Sequence, residues 1–235
     1  MTCGRIYGLI ALLVALGSYD RVAAEPRCVD IALVLAVDGS SSVDSEEYQF
    51  QKSAIANALR DSGVRSALRR AGAVALAVVF WGDGEFETQN LGWVITEEGR
   101  GLDNFADQIE VSQRHVFGNT DIGSGLWSAL DMIAQSCSKR PIINVSGDGK
   151  ETIAPKRRQR ATLPQARIRA QNMGVTINAL AIESDEPDLA TYYAREVVRG
   201  TGGFTMEIRN YQDYAYAIRR KLIRELSSNF FAGLQ

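Results

Sequence analysis

The sequence predicts an α/β protein with a mostly parallel sheet and helices on both of its faces. Apolar strand patterns alternate with helical patterns along the chain, as in βαβ units. The first strand, at 29–38, is an almost unbroken apolar run, typical of a strand buried on both faces. This run ends in the polar side chains of Asp38, Ser40 and Ser42. Because ligands of such sheets bind at the carboxyl ends of the strands, the candidate site lies there.

The elements that follow keep the same alternation. The spacing of Asp44 and Glu47 is that of a capping box and predicts the start of a helix. Strands are predicted at 72–81 and 92–96, and the short acidic connection between them suits a hairpin with an antiparallel edge strand. Later helices are predicted at 102–111, 121–135, 163–173, 188–199 and 211–226, and strands at 141–146, 175–182 and near 204.

Two of these segments carry further expectations. The connection at 82–91 contains Asp83, Glu85 and Glu87, which we expect to be surface charges that discourage strand pairing at the sheet edge. The last helix carries one apolar stripe at helical spacing. Its members are Tyr211, Ala215, Ile218, Leu222 and Leu226.

Composition narrows the class of protein. The 235 residues are 46% hydrophobic and 23% charged, which is ordinary for a folded globular protein. The formal net charge of −2 gives no reason to expect nucleic acid as a partner, or a general attraction to membrane surfaces. No repeat, low-complexity tract or linker divides the chain, so one domain is predicted at 25–228, followed by a tail at 229–235.

The first 24 residues are predicted to be a signal peptide. Arg5 precedes an apolar core at 6–16, and the small side chains of Val22-Ala-Ala24 suit cleavage before Glu25. A core of this length is too short to anchor a protein in a bilayer, and no later apolar stretch approaches ~20 residues. We therefore expect an exported protein, periplasmic or secreted, without stable membrane insertion.

The polar residues after the first strand indicate a metal site. Carboxylate and hydroxyl oxygens suit Mg²⁺ or Mn²⁺ and do not suit zinc or copper. Asp38-x-Ser40-x-Ser42 resembles the opening of the metal-ion-dependent adhesion site of von Willebrand factor type A (integrin I-like) domains. That family adds a Thr before a helix and an Asp after the fourth strand, and Thr120 and Asp148 match these two positions.

The resemblance runs from about Val29 to Ser228 and is strongest toward exported bacterial members of uncharacterised function. It implies a six-stranded sheet of order 3-2-1-4-5-6 with strand 3 antiparallel. It also implies a bound Mg²⁺, with Mn²⁺ or Ca²⁺ as alternatives, whose open position receives an acidic side chain of a protein partner. The oligomeric state is not implied.

The sequence lacks the signature of a serine hydrolase. The chain lacks a Gly-x-Ser-x-Gly elbow, and its only histidine, His115, lies in a polar loop where a solvated role is expected. An enzyme is therefore not predicted. Two alternatives to the adhesion site stay open, namely a scaffold with a purely structural metal and, third, a metal-dependent hydrolase.

A basic run follows the Asp148 loop and should lie on the same rim as the metal. It is made of Lys156, Arg157, Arg158 and Arg160. As a positive border it would attract an acidic partner toward the ion. The alternative is a solvated charged loop without a binding role.

A disulfide between Cys28 and Cys137 is also predicted. Cys3 leaves with the signal peptide, so two cysteines remain in an oxidising compartment. Cys28 precedes Asp38 by ten residues, and Cys137 precedes Asp148 by eleven. If both aspartates reach one metal, both cysteines reach the opposite end of strands 1 and 4, which are neighbours in the family's strand order. Neighbouring strands lie about 4.8 Å apart, close enough for the bridge.

Overall fold

The computed structural model describes residues 28–152 and 158–227. The predicted signal peptide, the tail at 229–235 and part of the basic run lie outside these residues. The strands are β1 (Val29–Asp38), β2 (Val74–Trp81), β3 (Gln89–Thr96), β4 (Ser138–Gly147), β5 (Thr176–Ile182) and β6 (Thr205–Ile208). The helices are α1 (Ser45–Arg60), α2 (Ser62–Ala71), α3 (Leu102–Val111), α4 (Ile122–Ala134), α5 (Leu163–Asn172), α6 (Leu189–Glu196) and α7 (Tyr214–Ser227).

The strands form one six-stranded sheet of order β3-β2-β1-β4-β5-β6. Strand β2 pairs with β3 antiparallel, and every other pair of neighbours is parallel. The predicted fold class, strand order and antiparallel edge strand are therefore confirmed. Because β1 lies at the centre, its carboxyl end is flanked by loops from both halves of the sheet.

The unbroken apolar run of β1 is explained by burial on both faces. Ile31, Leu33 and Leu35 belong to one hydrophobic core, which α1, α2, α3 and α7 cover. Ala32 and Val34 point the other way, into a second core beneath α4, α5 and α6. Full burial of one such aliphatic side chain contributes roughly 1.5–3 kcal/mol. Strand β1 thus holds the candidate site on a strand that is buried along almost its whole length.

Helix α2 was not predicted as a separate element. Asp61 ends α1 with extended backbone, and its side chain accepts hydrogen bonds from the amides of Gly63 and Val64 to start α2. An Asp followed by Ser and Gly is a recognisable helix start. The ion pair between Asp61 and Arg219 (2.9 Å) then ties this junction to α7.

The last helix packs differently from its predicted stripe. The segment begins with a 3-10 turn, Tyr211–Asp213, and Ala215 is exposed, whereas Lys221 and Glu225 are fully buried. Lys221 Nζ lies 2.7 Å from a carboxylate oxygen of Glu225. Asn144 and Asn178 donate to the same carboxylate at 2.8 and 3.0 Å. A polar network therefore joins α7 to β4 and β5 where apolar contacts alone were expected.

The predicted disulfide is present in the structure. Cys28 and Cys137 are joined with a Cα–Cα distance of 4.5 Å. The amide of Val29 donates to the carbonyl of Cys137 at 2.9 Å, and Val29 is in register with Ser138. The bridge therefore fastens β1 to β4 at the end of the sheet opposite Asp38.

No helix in the described residues combines the length and the apolar character needed to cross a bilayer.

Candidate metal centre

Three loops bring the five candidate ligands together at the carboxyl edge of the sheet. Asp38, Ser40 and Ser42 follow β1, Thr120 precedes α4, and Asp148 follows β4. The Ser40 hydroxyl lies 3.1 Å from that of Ser42 and 3.3 Å from that of Thr120. The Ser42 hydroxyl donates to Asp148 at 2.7 Å. Residues that are 106 positions apart in the chain thus converge on one point.

Asp38 lies at the floor of this cluster. Its side chain is fully buried, and one carboxylate oxygen, Oδ1, accepts from the amide of Ser40 at 2.8 Å. The other oxygen, Oδ2, has no hydrogen-bond partner. Burial, and secondly the nearby charge of Asp148, raise the pKa of Asp38 to about 8. A buried carboxylate oxygen without a partner is costly unless a cation binds it.

Asp148 completes the cluster from the end of β4, the strand next to β1. Its two oxygens accept hydrogen bonds from the Ser42 hydroxyl (2.7 Å) and the Tyr211 hydroxyl (3.0 Å). Burial raises the pKa of this carboxyl above its usual value, although both hydroxyls oppose the shift. Asp38, Ser40, Thr120 and Asp148 are buried, whereas Ser42 is exposed. The cluster therefore opens to solvent on the Ser42 side.

Two glycines keep space free around these oxygens. A Cβ atom on Gly147 would lie 2.8 Å from Oδ2 of Asp38 and 2.6 Å from the hydroxyl of Tyr193. A Cβ atom on Gly149 would lie 3.1 Å from the hydroxyl oxygen of Thr120. Any side chain at position 147 would thus occupy the space beside the oxygen that lacks a partner.

These residues fit a hard divalent cation. Two carboxylates and three hydroxyls supply oxygen ligands, which suit Mg²⁺, Mn²⁺ or Ca²⁺. Within 28–152 and 158–227, no group of three or more His, Cys, Asp or Glu side chains is placed to hold a metal. A metal at this edge would thus depend on the hydroxyls of Ser40, Ser42 and Thr120 as well as on the two aspartates.

Arg114 is a component of the site that the sequence analysis missed. Its guanidinium stacks between the rings of Tyr48 (4.9 Å) and Phe117 (4.8 Å). It donates hydrogen bonds of 2.8–3.3 Å to the backbone carbonyls of Gly39, Ser40, Val43, Asp44 and Val116. One side chain thereby fixes the loop that carries Ser40 and Ser42 and the segment that leads to Thr120.

We expect Arg114→Met to weaken Mn²⁺ binding about 10-fold, which corresponds to about 1.4 kcal/mol. The variant keeps an apolar stem between the two rings but removes every donor to the loop, so the ligands lose their fixed positions. The measurement is calorimetric titration with Mn²⁺. Arg220→Met, at an exposed arginine on α7 that stacks on Tyr216, is the control and should bind like wild type. Equal affinity of the two variants would contradict this role of Arg114.

The prediction that Asp83 is a surface charge is wrong. Asp83 is buried, and its carboxylate accepts from the amide and the side chain of Asn119 (3.2 and 2.7 Å) and from the amide of Glu85 (3.1 Å). It therefore holds the hairpin loop against the segment before Thr120. Glu85 and Glu87 are exposed, as expected, and so is His115.

The basic run is only partly described, since Lys156 and Arg157 lie outside the described residues. Arg158 lines a cavity of about 460 Å³ beside the hairpin loop. Arg160 binds the hydroxyl of Ser128 (3.0 Å) and the carboxylate of Asp131 (2.7 Å) on α4. A part of the charge of Arg160 is thus used within the fold, and a role of this run in partner binding remains a prediction.

Solved structures share this fold at low sequence identity. The chain matches the pilus adhesin SpaC from Lactobacillus rhamnosus GG with 14% identity and a TM-score of 0.62, covering 87% of this chain and 31% of that one. It matches proximal thread matrix protein 1 (PTMP1) from the mussel byssus, solved with a zinc-occupied MIDAS motif, with 14% identity and a TM-score of 0.59, covering 84% and 46%. This chain thus spans less than half the length of these two proteins.

The vWF domain of the type V pili tip protein Mfa5 from Porphyromonas gingivalis is similar over nearly its whole length. The identity is 16% and the TM-score 0.57, and the match covers 89% of this chain and 98% of that one. The protein therefore has the fold of a von Willebrand factor type A domain. By sequence, residues 27–230 match one family model, and the chain belongs to that family, described as "Protein of unknown function (DUF1194)". A comparison with curated proteins gives no match.

Proposed function

We propose that this protein is an exported binding module that captures a carboxylate of a protein partner through a divalent cation. The observation that carries the proposal is Oδ2 of Asp38, a fully buried carboxylate oxygen without a partner. It lies in the same cluster as the hydroxyls of Ser40 and Thr120 and the carboxylate of Asp148. A cation at this cluster would satisfy the oxygen that the protein leaves unpaired.

Incomplete coordination is the physical reason for partner binding. Mg²⁺ takes about six oxygen ligands in octahedral geometry. The proposed ligands are Asp38, Ser40, Ser42, Thr120 and Asp148, some of them acting through water. Because three of the five are neutral hydroxyls, an external carboxylate would still interact strongly with the ion. The exposed Ser42 marks the side from which that carboxylate would arrive.

The comparisons support binding as the class of function. SpaC is a pilus adhesin, Mfa5 is a pilus tip protein, and PTMP1 has been solved with zinc in a MIDAS motif. PTMP1 is a matrix protein, so none of the three proteins is named for an enzymatic activity. We propose that this protein also binds a partner, is exported to the periplasm or the exterior, and holds a divalent cation. The proposed ion is Mg²⁺, with Mn²⁺ or Ca²⁺ as alternatives.

The test is titration of purified protein with Mg²⁺ and Mn²⁺ by calorimetry. Wild type should bind one ion, and Asp38→Ala and Asp148→Ala should each lose binding by more than about 100-fold, since each removes a charged ligand. Asp107→Ala, at an exposed carboxylate on α3, is the matched control and should bind like wild type. Undiminished binding by Asp38→Ala would refute the assignment.

The open coordination position is tested with Mn²⁺ in place of Mg²⁺. Water-proton relaxation should reveal water on the bound Mn²⁺, and an acidic peptide should displace that water and lower the relaxation rate. A purely structural metal would show no displacement. Hydrolysis of a phosphate or ester substrate that is lost in Asp38→Ala would instead indicate the hydrolase alternative.

A further inference from the structure

Three phenylalanines around the candidate metal centre expose a large part of their rings. The exposed fractions are 39% for Phe50, 42% for Phe86 and 40% for Phe117. In the described part of the chain, every other phenylalanine is buried or half-buried. We call these three residues the aromatic rim. Phenylalanine is usually buried, and apolar side chains grouped at one exposed edge are a feature of binding surfaces.

Phe117 lies next to the loop of the proposed ligands, because the residue that follows it is hydrogen-bonded to that loop. Its neighbour Gly118 accepts a hydrogen bond from the amide of Ser41 (2.8 Å) and donates one to the Ser41 hydroxyl (2.9 Å). Ser41 lies between Ser40 and Ser42 in the sequence. A side chain of a partner bound at the metal would therefore have Phe117 beside it.

Phe86 and Phe117 are held in place before any partner arrives. Their rings pack edge to face with centroids 5.8 Å apart. The Arg114 guanidinium lies 4.8 Å from the centre of the Phe117 ring and is itself tied to the ligand loop. Rings that are already fixed lose little conformational entropy when a partner covers them, which favours binding.

Phe50 lies on α1, which follows the loop of Ser40 and Ser42. It lines a cavity of about 430 Å³ together with Tyr211 and with polar and acidic residues such as Glu47. The Tyr211 hydroxyl donates to Asp148 at 3.0 Å, so this cavity adjoins the proposed ligands. Exposed aromatic rings therefore lie both next to the Tyr211–Asp148 contact and next to the loop of Ser40 and Ser42.

Such a surface selects a particular kind of partner. Covering the exposed part of these rings removes apolar surface from water, and polar flanking groups would forgo this gain. Apolar contacts around the ion also exclude water, and electrostatic attraction is stronger where the local dielectric constant is low. Both effects favour an acidic side chain that is set between apolar neighbours.

We propose that the aromatic rim is the docking surface for a protein segment in which apolar side chains flank the metal-binding Asp or Glu. The inference rests on the proposed function, because the metal-bound carboxylate is what brings the segment to the rim. It adds the flanking residues as a determinant of specificity. The positive ion would bind the Asp or Glu of the segment, and the exposed rings would contact the apolar side chains on either side of it.

The experiment uses two sets of synthetic nonapeptides with a central Glu, flanked either by Phe and Leu or by Ser and Gly. Binding to the Mn²⁺-loaded protein is measured by fluorescence polarisation, with and without chelator. The Phe/Leu set should bind at least about 10-fold more tightly than the Ser/Gly set, and chelator should abolish both signals. Phe/Leu peptides with a central Gln in place of Glu should not bind.

The rim itself is tested with Phe50→Ser/Phe86→Ser, which leaves the stacking of Arg114 on Phe117 in place. This variant should lose the preference for the Phe/Leu set, while its Mn²⁺ affinity equals that of wild type. The matched control is Ile95→Ser/Ile168→Ser, which replaces two exposed aliphatic residues on β3 and α5 and should keep the preference. Equal binding of both peptide sets by wild type, or a preference that survives in the rim variant, would overturn the rim alone. Absence of Mn²⁺ binding by wild type would instead overturn the proposed function.

Discussion

Cys28→Ser/Cys137→Ser is expected to lower the free energy of unfolding by about 3–5 kcal/mol. The disulfide closes a loop with a sequence separation of 109. In the chain-entropy model, the stabilisation grows with the length of the closed loop and reaches about 4.7 kcal/mol for ~100 residues. Urea denaturation of the variant and of oxidised wild type measures the difference, and wild type in the presence of a reductant should resemble the variant.

The same variant tests whether the disulfide affects the candidate metal centre as well as the stability of the fold. The bridge joins β1 and β4 at the end opposite Asp38 and Asp148, and the ladder between the strands continues from Val29 to Val37 without it. At a temperature where the variant is folded, its Mn²⁺ affinity should therefore match that of wild type. A large loss of affinity in the folded variant would show that the bridge also sets the register at the metal edge.

The fold and the proposed ligands could be predicted because their signals are local. The residues of β1 are apolar without interruption, and Asp38, Ser40 and Ser42 follow within a few positions. Thr120 and Asp148 were instead assigned by the resemblance to von Willebrand factor type A domains, whose pattern adds a Thr before a helix and an Asp after the fourth strand. The family resemblance then supplied the strand order that made the cysteines neighbours.

Arg114 could not be found in this way. Most of its hydrogen-bond partners are backbone carbonyls within residues 39–44, some 70 positions earlier. Since every residue has a backbone carbonyl, the residue types do not reveal which of them accept hydrogen bonds from Arg114. Asp83 was misplaced for a similar reason, because its burial depends on Asn119 in a distant loop. Lys221 and Glu225 are charged residues outside the predicted apolar stripe, so their burial was not expected. The asparagines of β4 and β5, which bind the Glu225 carboxylate, explain why both can be buried.

Asp38→Asn should make the metal-free protein more stable while it removes metal binding. The pKa of Asp38 is raised from 3.8 to about 8, mainly by burial. The folded state of wild type therefore holds this proton more tightly than the unfolded chain does. In wild type, the contribution of Asp38 to the free energy of unfolding is fully present below about pH 4. It is lost as the pH rises toward 8. Asparagine is neutral throughout this range and carries no such cost.

The measurement is thermal unfolding of both proteins in chelator at pH 5 and pH 7.5, followed by titration with Mg²⁺. Without metal at pH 7.5, Asp38→Asn should exceed wild type by roughly 1–3 kcal/mol, and the difference should shrink at pH 5. With Mg²⁺ at ~100 times its dissociation constant, wild type should gain about 2.7 kcal/mol and the variant nothing. Asp107→Asn should follow wild type in every condition. A metal-free variant that is less stable than wild type at pH 7.5 would mean that Oδ2 of Asp38 already has a satisfying partner, and the case for a cation at this edge would fail with it.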